Sequence, residues 1–297
     1  HRFMECLVEW VRGVCVALDK DIVAMDGKAL RRAVDAGKPI PYIVSAWATG
    51  SGLLLGQRKV KNKSNEITAV PELLRALELA GCIVTADALH CQKDIAKEII
   101  EADADYVLAL KGNQGTAFAE IKTFLDDAIE RQAANLMFHE TTDKGHGRVE
   151  VRRYWQTEQI QWFADREAWE GLRSVGVVEA WRTVHGKESV ERRYYLSSLT
   201  AEAKRFGRAV RGHWGVENGL HWVLDVVFGE DQSRARSGCA AENLAATRRL
   251  AINLLPNASE SELRAEIARQ ICAGRRNGSR FIMSIGSPVT PGTSVER

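Results

Sequence analysis

The sequence predicts an α/β fold built on a mixed β-sheet with flanking helices. Three observations carry that expectation. Short apolar runs, as buried strands carry, occur at Asp21-Ile-Val-Ala-Met-Asp26-Gly27 and Cys82-Ile-Val-Thr-Ala-Asp87, each ending in an acid, and at Asp105-Tyr-Val-Leu-Ala-Leu110, closed by Lys111-Gly-Asn-Gln114. From residue 82 to 131 such runs alternate with amphipathic helical stretches, the order that builds parallel strands. Ahead of them, strand-like runs follow one another with no helix between, which calls for antiparallel pairing.

Taken in order, residues 1–17 read as a helix, with Phe3, Leu7, Trp10, Val14 and Leu18 at three- and four-residue intervals. Strands follow over 21–27, 42–48 and 53–60, and Thr49-Gly-Ser-Gly52 supplies the turn of a hairpin between the last two. Residues 67–79 are an amphipathic helix in which Pro71, lacking an amide hydrogen, is tolerable only in the first turn. A strand over 82–87, a helix over 92–102, a strand over 105–110 and a helix over 116–131 come next. Between 138 and 200 the texture becomes β-rich, with alternating runs at 145–155, 173–181 and 190–196. Residues 201–256 return to helix, broken near Phe228-Gly229, and beyond about 272 the chain is rich in Gly, Ser, Pro and Arg without periodicity, the composition of a poorly ordered tail.

Composition narrows the function. At 297 residues the chain can bury a sizeable core. No run approaches the roughly 18 apolar residues of a membrane span, and the stretch at the start, interrupted by Glu5, Glu9 and Arg12, does not resemble a signal peptide. The six cysteines contain no C-x-x-C pair, the usage of a reduced compartment, so a cytoplasmic location is expected. The net charge of +2 is close to neutral, but Arg58, Lys59, Lys61 and Lys63 cluster, as do Lys204, Arg205, Arg208 and Arg211. Such clusters neutralise phosphates or serve as solvated faces. The chain begins with His1 rather than Met, which predicts a fragment or a processed form.

The most unusual segment is Arg211-Gly-His-Trp-Gly-Val-Glu-Asn-Gly-Leu-His-Trp-Val-Leu-Asp225. It places His213, Glu217, His221 and Asp225 at four-residue steps, which would align them on one helix face. Neither a core helix nor an ordinary surface helix carries such a row. Two further acids, Asp26 and Asp87, sit where strands are expected to end, at a sheet edge where ligands bind. Three carboxylates from different elements suit two Mg²⁺ or Mn²⁺ ions, which prefer hard oxygen ligands and in two-metal sites stand roughly 3.5–4 Å apart for in-line phosphoryl displacement. A turn or cap is the ordinary role of any one such Asp; only the combination points to a site.

That combination resembles a family. Asp26-Gly-Lys-Ala-Leu-Arg31, Thr85-Ala-Asp-Ala-Leu-His90 with Gln92, Tyr106-Val-Leu-Ala-Leu-Lys-Gly-Asn-Gln114, Gly145-His-Gly-Arg148 with Glu150, and His213-Trp214 through Asp231 resemble, in order, successive blocks of bacterial insertion-sequence DDE transposases. They are most similar to the H-repeat-associated (ISAs-type) branch of the IS-four-like group. The resemblance implies an RNase H-like core over 21–137 and 201–256, with Asp26, Asp87 and Glu217 as catalytic acids and ligands of two divalent ions. It implies a β-rich insertion over 138–200 ahead of the helix bearing the last acid. Residues 1–20 would be the remnant of an N-terminal helical region and 257–297 a C-terminal helix and tail. Its implied activity is metal-dependent cleavage at transposon ends and strand transfer into target DNA, by a homodimer on DNA. The wider group places a Tyr, an Arg and a Lys around the last acid; those offsets fall here on Val210, His213 and Leu224, and Arg211 is the nearest substitute for the arginine.

Lys28, Arg31, Lys111, Asn113, Gln114, Arg211 and His213 are expected to contact the DNA backbone, and His90, His221 and Asp225 to stand behind the metal ligands. Two alternatives remain at this point. One is a transposase remnant that binds DNA without cutting it. The other is a zinc hydrolase using His213, Glu217 and His221, which lacks the H-E-x-x-H order and leaves Asp26 and Asp87 without a role.

Overall fold

The computed structural model describes residues 21–33, 40–60, 66–145, 148–184, 187–236 and 239–254. The expected helix over 1–17 and the tail beyond 256 lie outside them. Among the described residues, nine strands form one sheet: β1 (Ile22–Ala29), β2 (Tyr42–Ala48), β3 (Leu53–Val60), β4 (Ile83–Ala86), β5 (Asp105–Leu110), β6 (Met137–Gly145), β7 (Arg148–Thr157), β8 (Ser174–Val184) and β9 (Lys187–Ser197). Their spatial order is β3-β2-β1-β4-β5-β9-β8-β7-β6. The pairs β1–β4 and β4–β5 are parallel and the others antiparallel, so the mixed sheet with flanking helices is as the sequence predicts.

Helices α1 (Glu66–Arg75), α2 (Lys93–Glu101) and α3 (Gly115–Glu130) connect the strands of the first half, and α4 (Ala203–His213) and α5 (Ala240–Leu254) follow the last strand. Strand alternation divides the apolar side chains between two layers. Val84, Tyr106 and Leu108 join the cluster that includes Leu74, Ile95, Ile99, Ile121 and Leu125 of α1 to α3. Ile83 and Val107, one residue out of phase, meet Phe206, Ala209 and Val210 of α4. This is the period-two consequence of a sheet covered on both faces.

Several expectations change. Pro71 lies inside α1 rather than in its first turn; burial of Ala69, Val70, Leu73 and Leu74 around it offsets the missing hydrogen bond. The segment 138–200 is an antiparallel meander that continues the sheet, because β9 pairs with β5 through Val107–Ser197 to Leu110–Tyr194. Its first strand, β6, was not expected as a separate strand. Asp26 does not end a strand: it sits within β1, paired with Ser45. Finally, α4 stops at His213, and the chain continues as two short π-helical turns, Val216–His221 and Val223–Val227, before Gly229 breaks it at φ 59°.

Candidate active site

The sheet brings two of the acids level. Parallel pairing of β1 with β4 ends at Met25–Ala86, so Asp26 and Asp87 are the next residue of each strand. Asp26 continues in β1, held by its pairing to β2, whereas Asp87 leaves the sheet. The Asp87 carboxylate caps a 3-10 turn, Ala88–His90, by accepting from the amides of Leu89 (3.0 Å) and His90 (3.3 Å) through Oδ1. Capping and a site role are compatible, because among the described residues Oδ2 takes no part in that cap.

Glu217 arrives from α4. This helix approaches β1 closely at Gly212, where a Cβ would stand 2.9 Å from the Ile22 side chain. The absence of a side chain there lets the turn carrying Glu217 reach over the sheet. Asp26, Asp87 and Glu217 then line one cavity of about 200 Å³, together with Thr85, Lys111, Arg193, Tyr195, His213 and Trp214.

The electrostatics are those of an acidic cluster short of cations. Burial pushes the Asp26 carboxyl up to about 7, with Asp87 and Glu217 adding repulsion and the Gly27 amide opposing it. Burial also raises Asp87, but the bonds and charge of His90, whose Nδ1 lies 3.0 Å from Oδ1, outweigh it and hold Asp87 below the ordinary carboxylate range. Behind Asp26, His221 Nδ1 stands 3.6 Å from Oδ2. Burial pushes His213 and His221 down to about 4, so both are neutral at pH 7. Among the described residues no Lys or Arg pairs with any of the three acids. That environment suits hard divalent cations, although no three His, Cys, Asp or Glu side chains converge closely enough to enclose a single ion among the described residues. Asp26, Asp87 and Glu217 are the residues of this cavity that would hold such ions.

The same geometry removes the zinc reading. His213 Nδ1 faces the Thr85 hydroxyl at 3.2 Å and His221 faces Asp26. The expected row of His213, Glu217, His221 and Asp225 is divided by its partners: His213 and Glu217 line the acidic cavity, His221 stands behind Asp26, and Asp225 pairs with Lys28.

The expected DNA contacts divide. Lys111 lines the acidic cavity and is exposed. Arg31 is exposed, 3.5 Å from Asp231. Arg211 reaches Asp143 at 3.2 Å and lines a neighbouring groove instead of the acidic cavity. Lys28 must be corrected: its side chain is only 8% exposed, and its ammonium lies 2.7 Å from Asp225, 2.9 Å from Asp231 and 3.6 Å from Glu230. It neutralises internal carboxylates, and Asp225 belongs to that network. Asn113 and Gln114 are likewise engaged, donating to the carbonyls of Ala88 (2.6 Å) and Cys91 (2.9 Å), so they clasp the loop that follows Asp87. His213, neutral and bonded to Thr85, is no phosphate cation.

Leu224, where the wider group's lysine offset falls, is fully buried in the main core. The residue that sequence reading missed is Arg193 on β9. Its neighbour Arg192 points to the opposite face, where it pairs with Glu179 and Asp126. Only strand register separates the two.

The family is shown by the sequence comparisons. Residues 17–254 match the family model described as the transposase DDE domain. The chain is 39% identical over 266 residues to "Putative protein YbfL" of Escherichia coli (strain K12), covering 86% of this chain and 69% of that protein. It is 38% identical, with the same coverage, to "H repeat-associated putative transposase YhhI" of the same strain. Among solved structures, a piggyBac transposase synaptic complex with hairpin DNA aligns at TM-score 0.46 and 12% identity, covering 93% of this chain and 59% of that one. On the family match and these relatives, the chain belongs to the transposase DDE domain family.

Proposed function

We propose that this chain catalyses cleavage at transposon DNA ends and strand transfer into target DNA, with Asp26, Asp87 and Glu217 holding two Mg²⁺ or Mn²⁺ ions. The observation that carries the reading is the shared cavity of these three acids, with Asp26 raised to about 7 by burial and by its neighbours. Strand order β3-β2-β1-β4-β5, with the first three antiparallel and β1, β4 and β5 parallel, supports an RNase H-like core over 21–137 and 201–256. The meander β6–β9 corresponds to the insertion at 138–200. DNA is the partner, two copies of the chain would bring two ends together, and the cytoplasm is the compartment.

In the first step water attacks the scissile phosphorus and the bond to the 3′-oxygen breaks, leaving a 5′-phosphate and a 3′-hydroxyl. In the second, that hydroxyl attacks a target phosphodiester, forming a new ester while the target's own 3′-oxygen leaves with a proton. Bound divalent ions supply charge neutralisation and lower the pKa of the attacking oxygen. The chain's residues do the placing. The Asp87 carboxylate is oriented by the Leu89 and His90 amides, whose loop is clasped by Asn113 and Gln114. His221 backs Asp26, and Lys28 ties β1 to Asp225 and Asp231 beyond Glu217.

The test is nicking of supercoiled plasmid in Mn²⁺ by the wild type and Asp87→Asn. The expected result is loss of nicking in the variant with its melting temperature retained. Equal activity in both would refute the assignment, and DNA binding without cleavage by the wild type would favour the remnant.

A further inference from the structure

We propose that Arg193 is a catalytic residue of this site, its guanidinium gripping a non-bridging oxygen of the phosphodiester that enters the acidic cavity. The proposal rests on the phosphodiester reading above. Beside the acidic cavity lies a groove of about 240 Å³ lined by Glu150, Arg152, Arg182, Glu191, Arg211 and Asn218, among others. The two share Arg193, Tyr195, Val210, Trp214 and Glu217. A strand running from one into the other crosses Arg193.

Its head group is held in place. Nε and Nη2 donate to Glu191 at 2.8 and 3.0 Å, and the guanidinium carbon lies 4.7 Å from the centroid of the Trp214 ring. Trp214 is three residues before Glu217, so this stack registers β9 against the turn that carries the acid. Among the described residues no acceptor bonds Nη1, which leaves one edge of a fixed fork for a ligand. The other arginines of the groove are engaged with acids outside the cavity: Arg152 and Arg182 with Glu150, and Arg211 with Asp143. The cavity's other cation, Lys111, is an exposed point charge on a long stem. A planar fork, already half-buried and stacked, suits a phosphate with little reorganisation. Arg193 makes and breaks no covalent bond. It donates hydrogen bonds while phosphorus gains the attacking oxygen, the 3′-oxygen departs, and the attacker's proton ends on the leaving group or in solvent.

The experiment uses the full chain. Single-turnover nicking of supercoiled plasmid is measured in Mn²⁺ at saturating protein, and binding of a fluorescent DNA duplex is measured in Ca²⁺ over a salt series, for the wild type, Arg193→Gln, Arg193→Lys and Asp87→Asn. Arg193→Gln should nick about 10²–10³-fold more slowly, bind DNA at most about tenfold more weakly with a salt slope lower by about one, and melt as the wild type does. Arg193→Lys should recover part of the rate. Nicking by Arg193→Gln within about threefold of wild type, with Asp87→Asn inactive, overturns the proposal and leaves the functional reading standing; activity in Asp87→Asn overturns that reading instead. A loss confined to affinity, with the saturated rate unchanged, also overturns it. If Arg193→Gln does not fold, Arg193→Lys decides: a rate about tenfold down supports the fork, and an unchanged rate refutes it. If the wild type binds without nicking, the salt slope decides, since a slope unmoved by Arg193→Gln refutes the contact.

Discussion

Replacing Asp26 with Asn should stabilise the metal-free protein while abolishing its chemistry. In the folded chain the Asp26 carboxyl is pushed from 3.8 to about 7, first by burial and then by Asp87 and Glu217, against the Gly27 amide and the nearby His90. The folded state therefore binds more protons than the unfolded one between about pH 4 and 7, and stability falls as pH rises through that window. Above it, ionised Asp26 costs the fold at most about 4 kcal/mol, at roughly 1.4 kcal/mol per pH unit. Asn is isosteric and carries no charge. Urea unfolding in EDTA should show Asp26→Asn more stable by about 2–4 kcal/mol at pH 8, with the difference shrinking toward zero near pH 4. Mg²⁺ at a hundred times its Kd should close most of this gap, because it adds about 2.7 kcal/mol to a protein that binds one ion and nothing to one that does not. A variant less stable than wild type at pH 8 without metal, or a difference that does not vary with pH, would refute the reasoning.

Other outcomes follow from named contacts. Arg249 and Glu230 are both fully buried, with Nη1 2.7 Å from Oε1, so Arg249→Met should cost about 3–5 kcal/mol in urea unfolding by stranding the carboxylate and Lys28's network. Asn113→Ala should slow nicking by loosening the loop after Asp87, yet leave the salt slope of DNA binding unchanged; a slope lower by about one would make Asn113 a backbone contact after all. Asn253 bonds both the amide and the carbonyl of Leu54 along β3, so Asn253→Leu should cost about 1–3 kcal/mol and expose the amide of Leu54 to hydrogen exchange. Gly229→Val should cost about 1–2 kcal/mol through its left-handed backbone, although a Cβ there meets nothing within 4 Å.

Much of the sheet was legible because each strand carries its own signal. The run at 105–110 is β5 residue for residue, since a short apolar run bounded by turn residues is a local property. The strand β6 was not, because every residue from Met137 to Lys144 is exposed or polar and the strand owes its conformation to pairing with β7. Among site residues, the acids could be singled out from type and placement. The reading of Lys28 as a DNA contact failed because a lysine beside a candidate ligand looks the same whether its ammonium faces solvent or three inner carboxylates. The four-residue row did not become one ligand set for a related reason: spacing does not say which neighbour each side chain meets, and His213 faces Thr85, His221 faces Asp26 and Asp225 pairs with Lys28.

By itself the sequence determined most strands and helices of the first half and the three candidate carboxylates in their order along the chain, because strand and helix periods and the chemistry of acids are written residue by residue. The tertiary structure alone decided which acids stand level, through the parallel register that ends at Met25 and Ala86. It also decided that Lys28 is internal and that Arg193, not Arg192, faces the cavity. Register carries that information because a shift of one residue sends every side chain of a strand to the other face of the sheet.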